Sequence, residues 1–153
     1  MEKAKRDLKS VSAIIIIIAI ADLVSAIMSV ASPSGSATYQ HFINDSGFTA
    51  DQATAAVATV ISVAIILFLL ELFVGLKGII VANGGKKSKL ATVVVVFSII
   101  CLVIEACNSI YLIVVGTTNI LGSRIIVQVC ALSLFIYYIV ITNKVIAMRS
   151  QRI

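Results

Sequence analysis

Four long apolar runs divide the chain, and short polar stretches separate them. The first extends from about Leu8 to Ala31 and contains Ile14-Ile15-Ile16-Ile17-Ile18. The second runs from about Ala53 to Ala82, the third from about Leu90 to Val115 and the fourth from about Ile125 to Ala147. Each exceeds the ~20 residues that carry a helix across a ~30 Å hydrocarbon layer. Backbone surrounded by lipid has no water to bond, so its N–H and C=O groups must pair within the segment, which selects helices. The pattern predicts an all-α, transmembrane up-down four-helix bundle that forms one membrane domain over residues 1–153. The first run has the basic start and the small residues Ser29 and Ala31 of a signal peptide. Its apolar stretch is longer than the ~7–15 residues of such leaders. It reads as a retained membrane helix.

The polar stretches predict the connections. Residues 32–52 form one loop, in which Ser32-Pro33-Ser34-Gly35-Ser36 reads as a turn. A short helix is expected around Tyr39 to Ile43. Thr49, with Gln52 three residues on, is a capping box that opens the second long helix. Gly84-Gly85 turns the chain between the second and third helices, and Gly116 and Gly122 bracket a tight connection from Thr117 to Ser123. Short loops make sequential helices antiparallel neighbours.

Lysine and arginine orient the bundle. Lys3, Lys5, Arg6 and Lys9 precede the first helix; Lys77, Lys86, Lys87 and Lys89 surround the Gly84-Gly85 turn; Lys144, Arg149 and Arg152 follow the fourth. The other side carries Arg124 alone, a division of 11 against 1 of the 12 basic residues. Basic loops stay cytosolic, so both termini are expected inside (N-in/C-in) and the 32–52 loop outside.

Composition agrees: 60% of residues are hydrophobic and 12% charged, against ~45–50% and ~25% in a soluble domain. The net charge is +5, but the basic residues sit at the ends of apolar runs, facing anionic lipid headgroups. Nucleic acid is therefore not an expected partner. Without tryptophan, Tyr39, Tyr111, Tyr137 and Tyr138 are the available interfacial rings. Cys101, Cys107 and Cys130 lie inside apolar runs without a C-x-x-C pair, so they are expected to be small buried hydrophobes.

Three acids lie deep in the runs: Asp22, Glu71 and Glu105. At 1.5 Å per residue they fall roughly 21, 18 and 22 Å from the cytosolic ends of their helices, and Gln128 reaches a similar depth. A charge at that depth costs at least ~2.5–3.5 kcal/mol on insertion scales, so these side chains are expected to face the bundle interior. Same-face spacings extend the idea. Ser98, Cys101, Glu105 and Asn108 form a stripe on the third helix; Glu71, Gly75, Gly78 and Ala82 form one on the second; Asp22, Ser25 and Ser29 form a shorter one on the first. The small residues beyond Glu71 admit a close helix neighbour. Clustered carboxylates in a low dielectric cannot all stay ionised, so the layer can hold a proton or a cation. Alternatively the acids only tie helices together, with Arg124 or Lys77 as partners.

Other chemistry is thin. His41 is the sole histidine, and with Asp45 and Asp51 it makes a weak metal signal. No Ser-His-Asp, H-E-x-x-H, P-loop or dinucleotide motif is present, so no catalytic residues, metal site or cofactor are expected.

The segment Glu71-Leu72-Phe73-Val74-Gly75-Leu76-Lys77-Gly78-Ile79-Ile80-Val81-Ala82-Asn83, followed by Lys86-Lys87-Ser88-Lys89, is the most distinctive. It resembles a group of small uncharacterised four-helix membrane proteins of Gram-positive bacteria. The resemblance covers the second and third helices and implies architecture and a bacterial inner-membrane location, with no activity to carry over. The expected function is a small transporter or ion or proton pathway. Asp22, Glu71 and Glu105 would bind the ion beside Gln128 and Asn108, in a homo-oligomer or larger membrane complex. The alternative is a structural or accessory subunit without transport activity.

Overall fold

The computed structural model describes residues 1–31, 36–114 and 121–151; within its helices, the side chains of residues 37, 105, 108, 109, 111–114 and 121–125 lie outside the description. The described chain is all-helical: α1 (Glu2–Val30), α2 (Ala37–Asn44), α3 (Ala50–Ala82), α4 (Lys89–Val114) and α5 (Leu121–Ser150). Three stretches, Glu2–Val30, Ala50–Ala82 and Ile126–Ser150, are long and apolar enough to cross a membrane; the described apolar part of α4, Lys89–Ile104, is shorter.

Helix ends follow local chemistry. α1 begins six residues before its apolar run, because Glu2-Lys3-Ala4-Lys5-Arg6 are good helix formers and Glu2 sits favourably in the first turn. The Lys5 ammonium lies 3.5 Å from the Glu2 carboxylate one turn away. α2 stands where the short helix is expected: the Ser36 hydroxyl accepts from the Tyr39 N–H at 3.0 Å. Beyond it Gly47, at φ 67°, turns the chain and Phe48 stacks on Phe42. The predicted 32–36 turn falls on residues outside the description, except Ser36. The Thr49 box is formed: the Thr49 N–H donates to Gln52 Oε1 at 3.0 Å and the Gln52 N–H to Thr49 Oγ1 at 3.4 Å. This starts α3 at Ala50, three residues before the apolar run. At its other end Gly84 takes φ 111°, a left-handed value that glycine adopts without strain, and the Gly85 and Gly84 N–H groups return to the Ile80 and Val81 carbonyls. The tight connection predicted at 117–123 is partly corrected, since Leu121, Gly122 and Ser123 belong to α5; the remainder lies outside the described residues.

The helices divide into two compact units: residues 16–72, and residues 1–15 together with 73–153. The larger unit buries Leu8, Val11, Ser12 and Ile15 of α1, Val74, Gly75, Gly78 and Val81 of α3, Ala91, Val94 and Val95 of α4, and Phe135, Tyr138, Ile141 and Val145 of α5. The small stripe expected on α3 is thus an inward face here. A Cβ at Gly78 would fall on the Ser12 hydroxyl oxygen and 2.6 Å from Tyr138 Cε2, so three helices meet where a side chain is missing. The buried Ser12 hydroxyl oxygen lies where a Gly78 side chain would begin, so the glycine is what lets α1 approach α3. The Tyr138 hydroxyl donates to the Val74 carbonyl at 3.1 Å. Two cations tie the polar ends: the Arg149 guanidinium donates to the Gly85 carbonyl at 3.0 Å and to the Val81 carbonyl, and the Lys87 ammonium donates to Asn143 Oδ1 at 2.7 Å.

Large apolar side chains point outward. Met28 is 73% exposed, Ile17 64%, Val127 66% and Ile104 64%, while Ala19, Ala53 and Gly78 lie inside. The core itself mixes small residues with large ones such as Leu8, Ile15, Val74 and Phe135, and the many large apolar side chains left on the surface are those an apolar solvent would accommodate. The expectation for the cysteines is overturned: Cys101, Cys107 and Cys130 are all exposed on the helix surfaces, among exposed large apolar neighbours such as Ile100, Ile104 and Val129. Hydroxyls on the helix surface satisfy themselves locally, with Thr54, Thr59 and Ser62 donating to carbonyls four residues back.

Gly78→Ala is expected to destabilise the larger unit by about 1–3 kcal/mol, the usual penalty of overpacking. It should appear as a lower unfolding temperature in detergent micelles; an unchanged temperature would contradict the three-helix contact.

Candidate functional site: a carboxylate cleft between α1 and α3

Within the 16–72 unit, two long helices run past each other and bury one stripe each: Ala19 and Val30 on α1, Ala53 and Val57 on α3. A two-helix layer cannot enclose its remaining faces. Asp22, Ser25 and Ser29 accordingly stand exposed, which corrects the inward stripe predicted for α1. The Ser29 hydroxyl donates to the Ala26 carbonyl at 2.8 Å. Asp22 nevertheless opens onto a cleft between the helices, and so does Glu71, which is half-buried.

The cleft has a volume of about 110 Å³, and Ala19, Asp22 and Leu23 of α1 line it together with Ala64, Leu67, Phe68 and Glu71 of α3. Helical geometry explains the set. Positions 19, 22 and 23 are three and four apart, and 64, 67, 68 and 71 span two turns of one face. Ala19 and Ala64 provide the room, while Leu23, Leu67 and Phe68 form apolar walls. Apart from the two carboxylates the cleft is lined by hydrocarbon. The space suits a few water molecules or a small cation. Two ionised carboxylates facing one low-dielectric cleft repel each other, and a proton or a cation between them relieves that repulsion.

The other predicted members stand elsewhere. Gln128 is buried on α5, in the larger unit. Glu105 and Asn108 belong to α4, but their side chains lie outside the described residues, as does that of Arg124. The stripe proposed for α4 is corrected at Cys101, which is exposed, whereas Ala91, Val94 and Val95 form the buried face. Of the three predicted residues whose side chains are described, Asp22 and Glu71 are brought to one cavity and Gln128 is not. Lys77, offered as an ionic partner, places its ammonium 5.5 Å from the centre of the Phe73 ring, a cation–π contact one turn away. His41 is engaged with Asp45, its Nδ1 2.6 Å from the Asp45 carboxylate in the exposed last turn of α2.

The cleft walls were not singled out from the sequence. Their signal was the 64-67-68-71 spacing of small and large residues leading to Glu71, hidden because α3 is apolar on all sides. Comparison with known proteins gives no match: no family model fits the chain, and no curated protein and no solved structure matches it.

A carboxylate that only ties helices together loses stability when neutralised; one held for ion binding does not. Glu71→Gln is expected to leave the unfolding temperature unchanged or raise it, measured in detergent at neutral pH. A marked decrease would identify Glu71 as structural glue.

Proposed function

We propose that the chain is a multi-pass protein of a bacterial inner membrane, with four transmembrane helices, both termini cytosolic, and an intramembrane site that binds a proton or a small cation between Asp22 and Glu71. The observation that carries this reading is the shared cleft: two carboxylates from helices far apart in sequence line one cavity of about 110 Å³. Intramembrane acids are expensive and are kept where they serve an ion path or a counter-ion. The site would act as an exchanger, in which a cation displaces the proton that the two carboxylates share and leaves when a proton returns. The open side of a two-helix cleft makes a complete path more natural in an oligomer than in one chain. No catalytic role is proposed.

A proteoliposome flux assay tests the site. The Asp22→Asn, Glu71→Gln double variant is expected to lose proton or monovalent-cation flux by about tenfold or more, as removal of an intramembrane relay group should. Equal flux in variant and wild type would remove the site. The topology has its own test, in a chain whose Cys101, Cys107 and Cys130 are replaced by alanine. A membrane-impermeant maleimide should label Lys86→Cys from the cytosolic face alone and Ser46→Cys from the outer face alone. The reverse, or labelling of both from one side, would contradict the orientation.

One observation favours a second reading. Asp22 is exposed on its helix, inside an apolar span. A membrane helix of a partner protein that covered it would make this chain an accessory subunit. That reading predicts that Asp22→Asn abolishes co-purification of the partner while vesicle flux is absent from the outset.

A further inference from the structure

The first turns of α1 and the end of α3 enclose a second cleft, of about 320 Å³, lined by Glu2, Lys5, Arg6, Lys9, Ala82 and Asn83. All six residues belong to the larger unit. Positions 2, 5, 6 and 9 share one face of α1, so three cations and one acid converge. Glu2 is engaged by Lys5 at 3.5 Å, which leaves Arg6 and Lys9, both exposed, facing the cavity without an ion pair among the described residues. The end of a helix repels anions through its free carbonyls, but here the Arg149 guanidinium takes the Val81 and Gly85 carbonyls. Asn83 adds an amide to the rim.

The apolar surface continues from the same cleft. Leu76, Ile80 and Asn83 are spaced four and three apart, so they share one stripe of α3, and Leu76 and Ile80 are 48% and 46% exposed. A cationic cleft with an apolar stripe running from it matches a molecule with an anionic head and a hydrocarbon tail. A soluble anion would use only half of it.

We propose that this cleft binds the phosphodiester headgroup of an anionic glycerophospholipid, with Arg6 and Lys9 on the phosphate and an acyl chain along Leu76 and Ile80. The site rests on the membrane placement proposed above but not on the carboxylate exchange. It would fix a particular lipid at the cytosolic end of α1 and α3, as basic recesses between membrane helices do.

The test uses the full chain, reconstituted into vesicles of equal parts phosphatidylglycerol and phosphatidylcholine, floated, mildly re-extracted, and assayed for co-purifying lipid by mass. The wild type should retain phosphatidylglycerol over phosphatidylcholine by about tenfold, the preference that two surface cations can supply. Arg6→Gln with Lys9→Gln should abolish the preference. Lys86→Gln with Lys89→Gln removes equal charge outside the cleft and should keep it, as should the charge-conserving Lys9→Arg. Helicity by circular dichroism confirms that each variant is folded. Equal loss in both double variants would reduce the effect to general surface charge and overturn the site. Displacement of the lipid by excess inorganic phosphate would assign the cleft to a soluble anion instead. A chain that does not float with the vesicles refutes the membrane placement and this site with it; one that floats without lipid preference refutes the site alone.

Discussion

The close approach at Gly78 is the contact on which the larger unit depends. With no side chain at that position, the Ser12 hydroxyl of α1 and the Tyr138 ring of α5 reach the backbone of α3. Tyr138 then anchors its hydroxyl on the Val74 carbonyl, one turn away. Dispersion gains from such approach are available in lipid, where burial of apolar surface drives little because the surroundings are as apolar as the protein. Small residues such as Gly78, Ser12 and Ala91 let the helices approach, and Leu8, Ile15, Val74 and Val95 fill the core beside them, while many other large apolar side chains stand on the surface.

Polar groups answer to the same constraint. Exposed hydroxyls such as those of Thr54 and Ser62 fold back onto carbonyls of their own turn, Lys77 rests on Phe73, and Arg149 covers the end of α3. Against that background Asp22 and Glu71 stand out, because they open to a cleft walled by hydrocarbon. The cleft is small enough for an ion or a few waters. The basic recess at the other end of α1 is three times as large and suits a headgroup.

Much of the fold was legible in local chemistry. The Thr49–Gln52 box and the Gly84 turn are encoded by side chains within a few residues of where they act, and both formed. The apolar run starts later than α1 itself, since its edge marks where hydrophobic side chains end and not where helix propensity ends. Same-face spacing was a weaker guide to the site. It identifies which residues share a side of a helix but not which way that side points. Glu71, Gly75 and Gly78 lead inward, while Asp22 and Cys101 are exposed. On helices apolar all round, no amphipathic contrast supplies the missing direction. The Arg149 and Tyr138 contacts reach across more than 60 residues of chain, beyond any local pattern.

The meeting of Asp22 and Glu71 across α1 and α3 is the central claim, and paired cysteines test it directly. In a chain otherwise free of cysteine, Asp22→Cys and Glu71→Cys are combined, reconstituted into vesicles and treated with a short bifunctional thiol reagent. An intramolecular cross-link between positions 22 and 71, identified by mass, is the predicted result. If both thiols react but remain unlinked, the two carboxylates do not share a cleft.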